Sequence, residues 1–338
     1  MRMWVGLLAG FILMASSGSL VAEAIPSQAG PVAIVIHGGA GNLSRARITI
    51  EVERQYLQML DTAVSAGHDV LTSGGTAQQA VIAAIRVMED SDLFNAGKGA
   101  VLTAEGDAEL DASIMHGRDL DAGAVAGVRG IRNPITLAEK VMTDSPHVMM
   151  IGDGAEKFAI EQGMSLVPNS YFKTPRRLEQ LQRMRQRTQA SASDPFGFED
   201  HKLGTVGAVA LDRHGDIVAG TSTGGMANKM FGRVGDAPVI GAGTYADNRY
   251  CGISATGHGE FFIRLAVAHD ICARVAYQNI SLQEAADVVI QERLVSLGAD
   301  GGIIGLSASG DVVTAFNTTG MFRASVDREG HKNIGIFK

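Results

Sequence analysis

The chain has 338 residues, 46% of them hydrophobic, and a formal net charge of −7. That length allows one large domain or two ordinary ones around a substantial core. The modest acidity, with basic residues concentrated only between Arg176 and Arg187, excludes a nucleic-acid-binding surface.

The first two dozen residues have the form of a secretory signal: Arg2 as a minimal positive region, an apolar run from Val5 to Met14, and Ala22-Glu23-Ala24 in the small-x-small pattern of a cleavage site. The run is shorter than the roughly 20 residues of a spanning helix, which favours a removed leader over an uncleaved anchor. Residues 1–24 are therefore expected to be a signal peptide, and the mature protein to be exported (periplasmic in a Gram-negative cell) and free of the membrane. Export permits disulfides, and the two cysteines, Cys251 and Cys272, fit either a single bridge or two buried thiols.

Pro31 to Ile36 is a short β-branched run ending in His37-Gly38-Gly39, which predicts a buried strand entering a tight turn. A helix is expected over Glu51 to Ala66, with apolar residues at Tyr56, Leu57, Leu60, Ala63 and Val64 and a stop at Gly67. Another is expected over Ala77 to Met88, behind a Thr76 cap. The segment from Phe94 to Met115 alternates after Gly99 and predicts a hairpin turning at Glu105-Gly106-Asp107, with Asn95 at its entrance. From Pro175 to Lys202 the chain turns polar and rich in Arg, Gln and Ser, which predicts a frayed helix and then a flexible linker, about 175–204 in all.

Core-like sequence then resumes at once. Thr205 to Leu211, the turn at Asp212 to Gly215 and Asp216 to Thr223 predict a hairpin, and Gly302 to Leu306 with Asp311 to Phe316 predict a second. Between them, amphipathic helices are expected over Glu260 to Tyr277 and Leu282 to Leu297. This order of helices and strands favours a layered mixed architecture over a bundle or an all-β sandwich.

The junction at Gly204 carries the chemistry, because a linker-like segment ends there and Thr205 opens a buried strand. An internal threonine is a poor nucleophile. An N-terminal threonine can use its own α-amine, with an ordinary pKa of about 7.7 to 8, as the base for its hydroxyl. Cleavage between Gly204 and Thr205 would create that residue, although a threonine opening a strand is also ordinary β-propensity.

Seven blocks extend this reading: HGGAG (37–41), FNAGKGAV (94–101), ELDASIM (109–115), GTVGAVALD (204–212), TSTGGMANK (221–229), GRVGDAPVIGAGTYAD (232–247) and SATGHGEFFIR (254–264). Together they resemble the plant-type asparaginase and isoaspartyl peptidase family, threonine-type members of the N-terminal-nucleophile hydrolases. The resemblance implies an α+β fold, a four-layer αββα sandwich forming a single domain from two autocleaved fragments, residues 25–204 and 205–338. It implies hydrolysis of β-aspartyl dipeptides and L-asparagine through a β-aspartyl ester on Thr205, and a dimer of cleaved heterodimers.

Residue by residue, the resemblance implies that Thr223 bonds the nucleophile and that Thr256 and Gly257 form the oxyanion hole. Arg233 would hold the substrate α-carboxylate and Asp236 its α-ammonium, a buried Arg–Asp salt bridge being the plainer alternative. Gly259 would line the pocket and Asn95 would support the nucleophile. No cofactor is expected for catalysis. A structural sodium ion is implied through the main-chain carbonyls of Met88, Glu89, Ser91, Phe94, Ala96 and Lys98. His258 departs from the small or polar residue common at its position and reads as a wall residue or a group titrating near neutrality.

Other readings fit less well. Gly241-Ala242-Gly243-Thr244-Tyr245-Ala246 spells a dinucleotide fingerprint, but a turn and strand follow it where a helix is required. The nine histidines form no zinc-type cluster. An exported small-molecule-binding protein without catalysis is the alternative from another class, and it gives no reason for a clean break at one peptide bond.

Overall fold

The computed structural model describes residues 30–45, 48–190 and 204–338, with side chains to 186 only in the helix that ends at 190. The expected signal peptide, residues 1–24, and the part of the expected linker from 191 to 203 lie outside the described residues.

Twelve strands form two sheets among the described residues. In spatial order the larger is β12 (Lys332–Phe337), β11 (Gly320–Val326), β1 (Ala33–Gly41), β5 (Val206–Leu211), β6 (Ile217–Thr223), β2 (Leu110–His116), β3 (Ala122–Val128) and β4 (Met149–Ile151). Its pairs are antiparallel except β3 with β4. The smaller, wholly antiparallel sheet is β10 (Val312–Phe316), β9 (Gly301–Ser307), β8 (Cys251–Gly257) and β7 (Thr244–Asp247).

Strand periodicity explains the stacking. Along β1, β5 and β6, Ile34, Ile36, Ala208, Ala210 and Val218 belong to a core with helices α1 (Ile50–Thr72), α2 (Ala77–Glu89) and α3 (Pro134–Asp144). The alternate residues Ala33, Val35, Val209, Leu211, Ile217 and Ala219 pack on Ile304 and Leu306 of the second sheet. Ile253, Ala255 and Ile303 in turn meet Ile271, Ala285 and Val289 of the helices beyond. Both faces of each central strand are therefore apolar, and the layers run helix, sheet, sheet, helix, the expected αββα sandwich.

Several local expectations are corrected. Helix α1 runs through Gly67 to Thr72, because a side chain at 67 would strike Ile34 and the Ala80 carbonyl. The glycine is there for close helix packing and does not stop the helix. Strand β1 does not end in a turn at His37: it continues to Gly41 through a bulge between His37 and Gly39. The hairpin after Gly99 keeps its turn, with Thr103 N–H donating to the Asp107 carbonyl at 2.8 Å, but its pairing shrinks to an isolated bridge between Leu102 and Ala108.

Pro175–Ala190 is helix α5, with Arg177, Leu181 and Met184 buried, so this part of the expected linker is packed structure. The helix expected from Glu260 to Tyr277 is two, α6 (Gly259–Leu265) and α7 (Val267–Gln278), separated by Ala266 at φ +48°. The next expected helix divides into α8 (Leu282–Asp287), a π turn (Val288–Arg293) and α9 (Leu294–Ser296).

Two expectations stand. Thr76 makes a full capping box with Gln79, and Gly241 to Ala246 opens into β7, not a helix. Cys251 and Cys272 form a disulfide tying β8 to α7, with Cα atoms 5.8 Å apart. Among the described residues no helix is long and apolar enough to cross a membrane.

Candidate active site

The N-terminal end of β5 and the C-terminal end of β6 lie side by side in the register Val206↔Ser222, and a pocket at this end is lined by Thr205, Thr223, Arg233, Asp236, Gly257 and His258. The pairing places Thr205 and Thr223 together although 18 positions separate them. The Thr205 hydroxyl donates to Thr223 Oγ1 at 3.0 Å, and the same oxygen accepts the Gly225 N–H at 3.0 Å. Thr223 is thus oriented by backbone before it meets its partner.

The Gly204–Thr205 peptide is gripped from both chain segments. Asn95 N–H donates to the Gly204 carbonyl at 3.0 Å, while Asn95 Nδ2 donates to the Gly225 carbonyl at 2.7 Å and its Oδ1 accepts the Val101 N–H at 2.9 Å. Gly204 has φ +115°, a region that L side chains avoid, and a Cβ there would press on Asn95 at 2.9 Å. Gly39 of β1, at φ +112°, packs directly against Gly204 Cα. These close approaches exclude side chains from the peptide bond before Thr205.

On the other side, His37 Nδ1 donates to the Thr205 carbonyl at 3.0 Å. Burial pushes the imidazole down to about 3, so it is neutral and carries one N–H. Its Nε2 therefore accepts from Ser254 Oγ at 3.0 Å, and Ser254 lies 2.7 Å from Thr221 Oγ1. This hold on the Thr205 backbone was not anticipated. A histidine inside an otherwise apolar strand buried on both faces was the available signal.

At the end of β8, Thr256 Oγ1 accepts the Ala40 N–H at 3.3 Å and Gly257 is exposed to the pocket. The two expected oxyanion-hole residues therefore stand at the same strand ends as Thr205. His258 is buried in the wall, its ring 5.5 Å from Phe261 in an edge-on contact, which matches the reading of a wall residue.

The head-group side carries charge. Asp236 is buried, its Oδ2 lacks a hydrogen-bond partner, and burial pushes its carboxyl up to about 7. The Arg233–Asp236 salt bridge weighed as the plainer alternative is not what forms: Arg233 pairs instead with Glu260, Nε to Oε1 and Nη2 to Oε2 at 2.9 Å each. Burial works to raise the Glu260 carboxyl, but the hydrogen bonds and charge of Arg233 outweigh it and hold it below its ordinary value. Sequence reasoning missed Glu260. A Cβ on Gly259 would fall 2.8 Å from Arg233 Nη2 and 2.9 Å from Asp236 Oδ1, so glycine there lets both charged groups reach the pocket.

The loop from Met88 to Lys98 packs closely on its own backbone: a side chain at Gly97 would collide with the Glu89 carbonyl, and one at Gly99 with those of Phe94 and Ser91. Met88 and Ala96 carbonyls also accept backbone N–H groups, from Ser91 at 3.3 Å and Gly99 at 3.1 Å. The Glu89 side chain faces elsewhere: its Oε1 accepts Ser222 Oγ at 2.7 Å and Ile135 N–H at 3.1 Å, and burial pushes its carboxyl up to about 7. That tie, from the loop to the residue beside Thr223, left no sequence signal.

A family model described as asparaginase matches residues 30–336. The chain is 49% identical over 298 residues to the isoaspartyl peptidase of Escherichia coli strain K12, covering 87% of this chain and 92% of that protein. It is 42% identical over 304 residues to the isoaspartyl peptidase/L-asparaginase of Xenopus laevis, covering 90% and 94%. With the bovine isoaspartyl peptidase/L-asparaginase the identity is 40% over 305 residues, covering 90% and 96%. The match spans the strands β5 and β6 beside Thr205, the Asn95 loop and the charged wall alike, and the chain belongs to the asparaginase family.

Proposed function

We propose that this protein is a threonine amidohydrolase that cleaves itself between Gly204 and Thr205 and then hydrolyses β-aspartyl dipeptides and L-asparagine to L-aspartate. One observation carries the reading: the Thr205 hydroxyl, 3.0 Å from Thr223 Oγ1, lies in a pocket that also presents a guanidinium and a buried carboxyl whose Oδ2 has no hydrogen-bond partner. The names of the relatives, isoaspartyl peptidase and L-asparaginase, supply the substrates.

In the uncleaved chain the Thr205 nitrogen is an amide and cannot act as a base. Its hydroxyl attacks the Gly204 carbonyl, whose oxygen is already bonded to Asn95 N–H and so stabilised as negative charge develops. The C–N bond breaks, the nitrogen takes up a proton, and water hydrolyses the resulting ester to leave a carboxylate on Gly204 and a free amine on Thr205. In the mature site that amine receives the hydroxyl proton as Oγ1 attacks the substrate side-chain carbonyl. Thr256 and Gly257 stabilise the oxyanion, while Arg233 holds the α-carboxylate and Asp236 the α-ammonium. The leaving amine departs protonated, and water resolves the β-aspartyl ester to release aspartate.

The carbonyls of Met88, Glu89, Ser91, Phe94, Ala96 and Lys98 would hold a structural sodium ion, which would stiffen the loop bearing Asn95 and take no part in bond making. The mature protein is read as a dimer of cleaved heterodimers, with exposed Val148, Met149, Ile151 and Ile160 near the β4 edge as apolar surface for it. Residues 1–24 are read as an export leader, supported by the disulfide, which belongs to an oxidising compartment.

The test is steady-state kinetics of the purified protein on L-asparagine and β-Asp-Leu side by side. Release of aspartate from both is expected, since both offer the same head group and differ only in what leaves. Turnover of neither by a folded, cleaved protein would overturn the assignment.

A further inference from the structure

Arg233 has five N–H donors, and in this structure Glu260 takes one from Nε and one from Nη2 in a side-on fork at 2.9 Å each. The Nη1 end points the other way. It lies 2.8 Å from where a Cβ on Gly235 would stand and 3.6 Å from that of Gly225, and both glycines line the pocket. The guanidinium is thus held along one edge by Glu260 and presents its other edge to the space where an α-carboxylate would sit. The ion-pair partner of Arg233 is Glu260 and not Asp236, whose Oδ2 makes no hydrogen bond.

We propose that Glu260 is a positioning residue for substrate recognition: it locks the Arg233 guanidinium edge-on to the pocket, so that the Nη1–Nη2 end is presented to the substrate α-carboxylate. This rests on the reading of Arg233 as the carboxylate anchor.

The physical argument is one of order and of charge. A free arginine spreads over many rotamers, and a bidentate partner removes that freedom before the ligand arrives. The side-on edge is engaged, yet the end-on edge can still donate two parallel N–H bonds, so the carboxylate need not displace Glu260. The pair is partly shielded, with side-chain exposures of 20% for Arg233 and 44% for Glu260. Glu260 also cancels the arginine's charge, leaving the Asp236 carboxyl to balance the substrate ammonium. The pocket then matches a head group that is itself a zwitterion. The missing Cβ at Gly259 completes the device by letting Nη2 and Asp236 stand on either side of its backbone.

The experiment is a double-mutant cycle in the cleaved, full-length protein with L-asparagine, using Glu260→Gln, Arg233→Lys and the double variant, with fragment formation followed by gel as the check on folding. Glu260→Gln is expected to raise KM about tenfold, the scale of a charge-assisted bond, with kcat within about twofold and self-cleavage intact. In the Arg233→Lys background the same change should add little, since the group it orients is gone. Glu260→Asp, which keeps the charge on a shorter arm, should recover part of the loss, and it stands in if Glu260→Gln does not fold. A lower KM in Glu260→Gln would mean that Glu260 competes with the carboxylate and would overturn the proposal. So would an equal loss in both backgrounds, or an unchanged KM. If Glu260→Gln is silent while Arg233→Lys is impaired, only the role of Glu260 falls. If Arg233→Lys is itself silent, the carboxylate anchor falls and the inference with it.

Discussion

The two halves of the pocket are built from different materials. Around Thr205 the contacts are neutral hydrogen bonds: the Thr223 hydroxyl, the Asn95 backbone and amide, and a histidine held neutral by burial. On the opposite side the groups are ionic, with Arg233 paired to Glu260 and Asp236 buried with its Oδ2 unpartnered. Neutral bonds place atoms with little dependence on pH or salt, whereas buried ions respond to both. Damage to the first half should therefore appear in kcat and in self-cleavage, and damage to the second mainly in KM and in the pH profile.

The largest effect is expected from Thr205→Ala, which removes the only hydroxyl in the scheme that serves both events. Mass spectrometry should find the chain uncleaved, and assays should find no aspartate release. Thr205→Ser should retain some of each, because the hydroxyl remains and only the methyl that restricts its rotamer is lost. Wild-type turnover in a folded Thr205→Ala protein would break the neutral half of the comparison outright.

Next in size is Arg233→Lys. An ammonium cannot reproduce a planar fork, and a loss of about 2 kcal/mol in kcat/KM, felt mostly as KM, is expected for a charge-assisted bond. Cleavage should be unaffected. A fall in kcat alone would blur the division between the halves.

Asp236 sharpens it further. Its carboxyl is pushed up to about 7 by burial, so as pH falls through neutrality it takes up a proton and loses its attraction for an ammonium. The α-amine of Thr205 must also be unprotonated, near pH 7.7 to 8 if unperturbed. Both effects have the same sign, and kcat/KM should climb from pH 6 to pH 8. The native state binds more protons than the unfolded chain between the ordinary carboxylate range and about 7, so Asp236 costs stability as pH rises through that window. Asp236→Asn should then melt at a higher temperature than wild type at pH 8, with the difference shrinking as pH falls toward the ordinary carboxylate range. It should also bind substrate poorly and lose the lower inflection of the pH profile.

The same contrast explains what could be read from the sequence. The hairpin of β5 and β6 was legible from two apolar runs and a turn, because strand register is local, whereas the approach of Thr205 to Thr223 came only with the family resemblance. Arg233, Asp236 and Asn95 were placed by their motifs; the structure brings Arg233 and Asp236 to the pocket of Thr205 and bonds Asn95 to the Gly204 and Gly225 carbonyls. Glu260 was not legible: it lies one residue beyond Gly259, where the reading of the block stopped, and its pairing with Arg233 spans 27 positions. His37 and Glu89 escaped for the same reason, since each acts on a partner more than 100 residues away. Gly67 misled because a glycine kept for helix packing looks, in one dimension, like a glycine that ends a helix.

The central claim is that Thr205 is freed as an N-terminus by the chain itself, and N-terminal sequencing of the purified protein tests it most directly. The account predicts two fragments, one of them beginning Thr-Val-Gly-Ala, formed by protein refolded without any protease. A single intact chain with full activity, or a fragment beginning at any other residue, would contradict it.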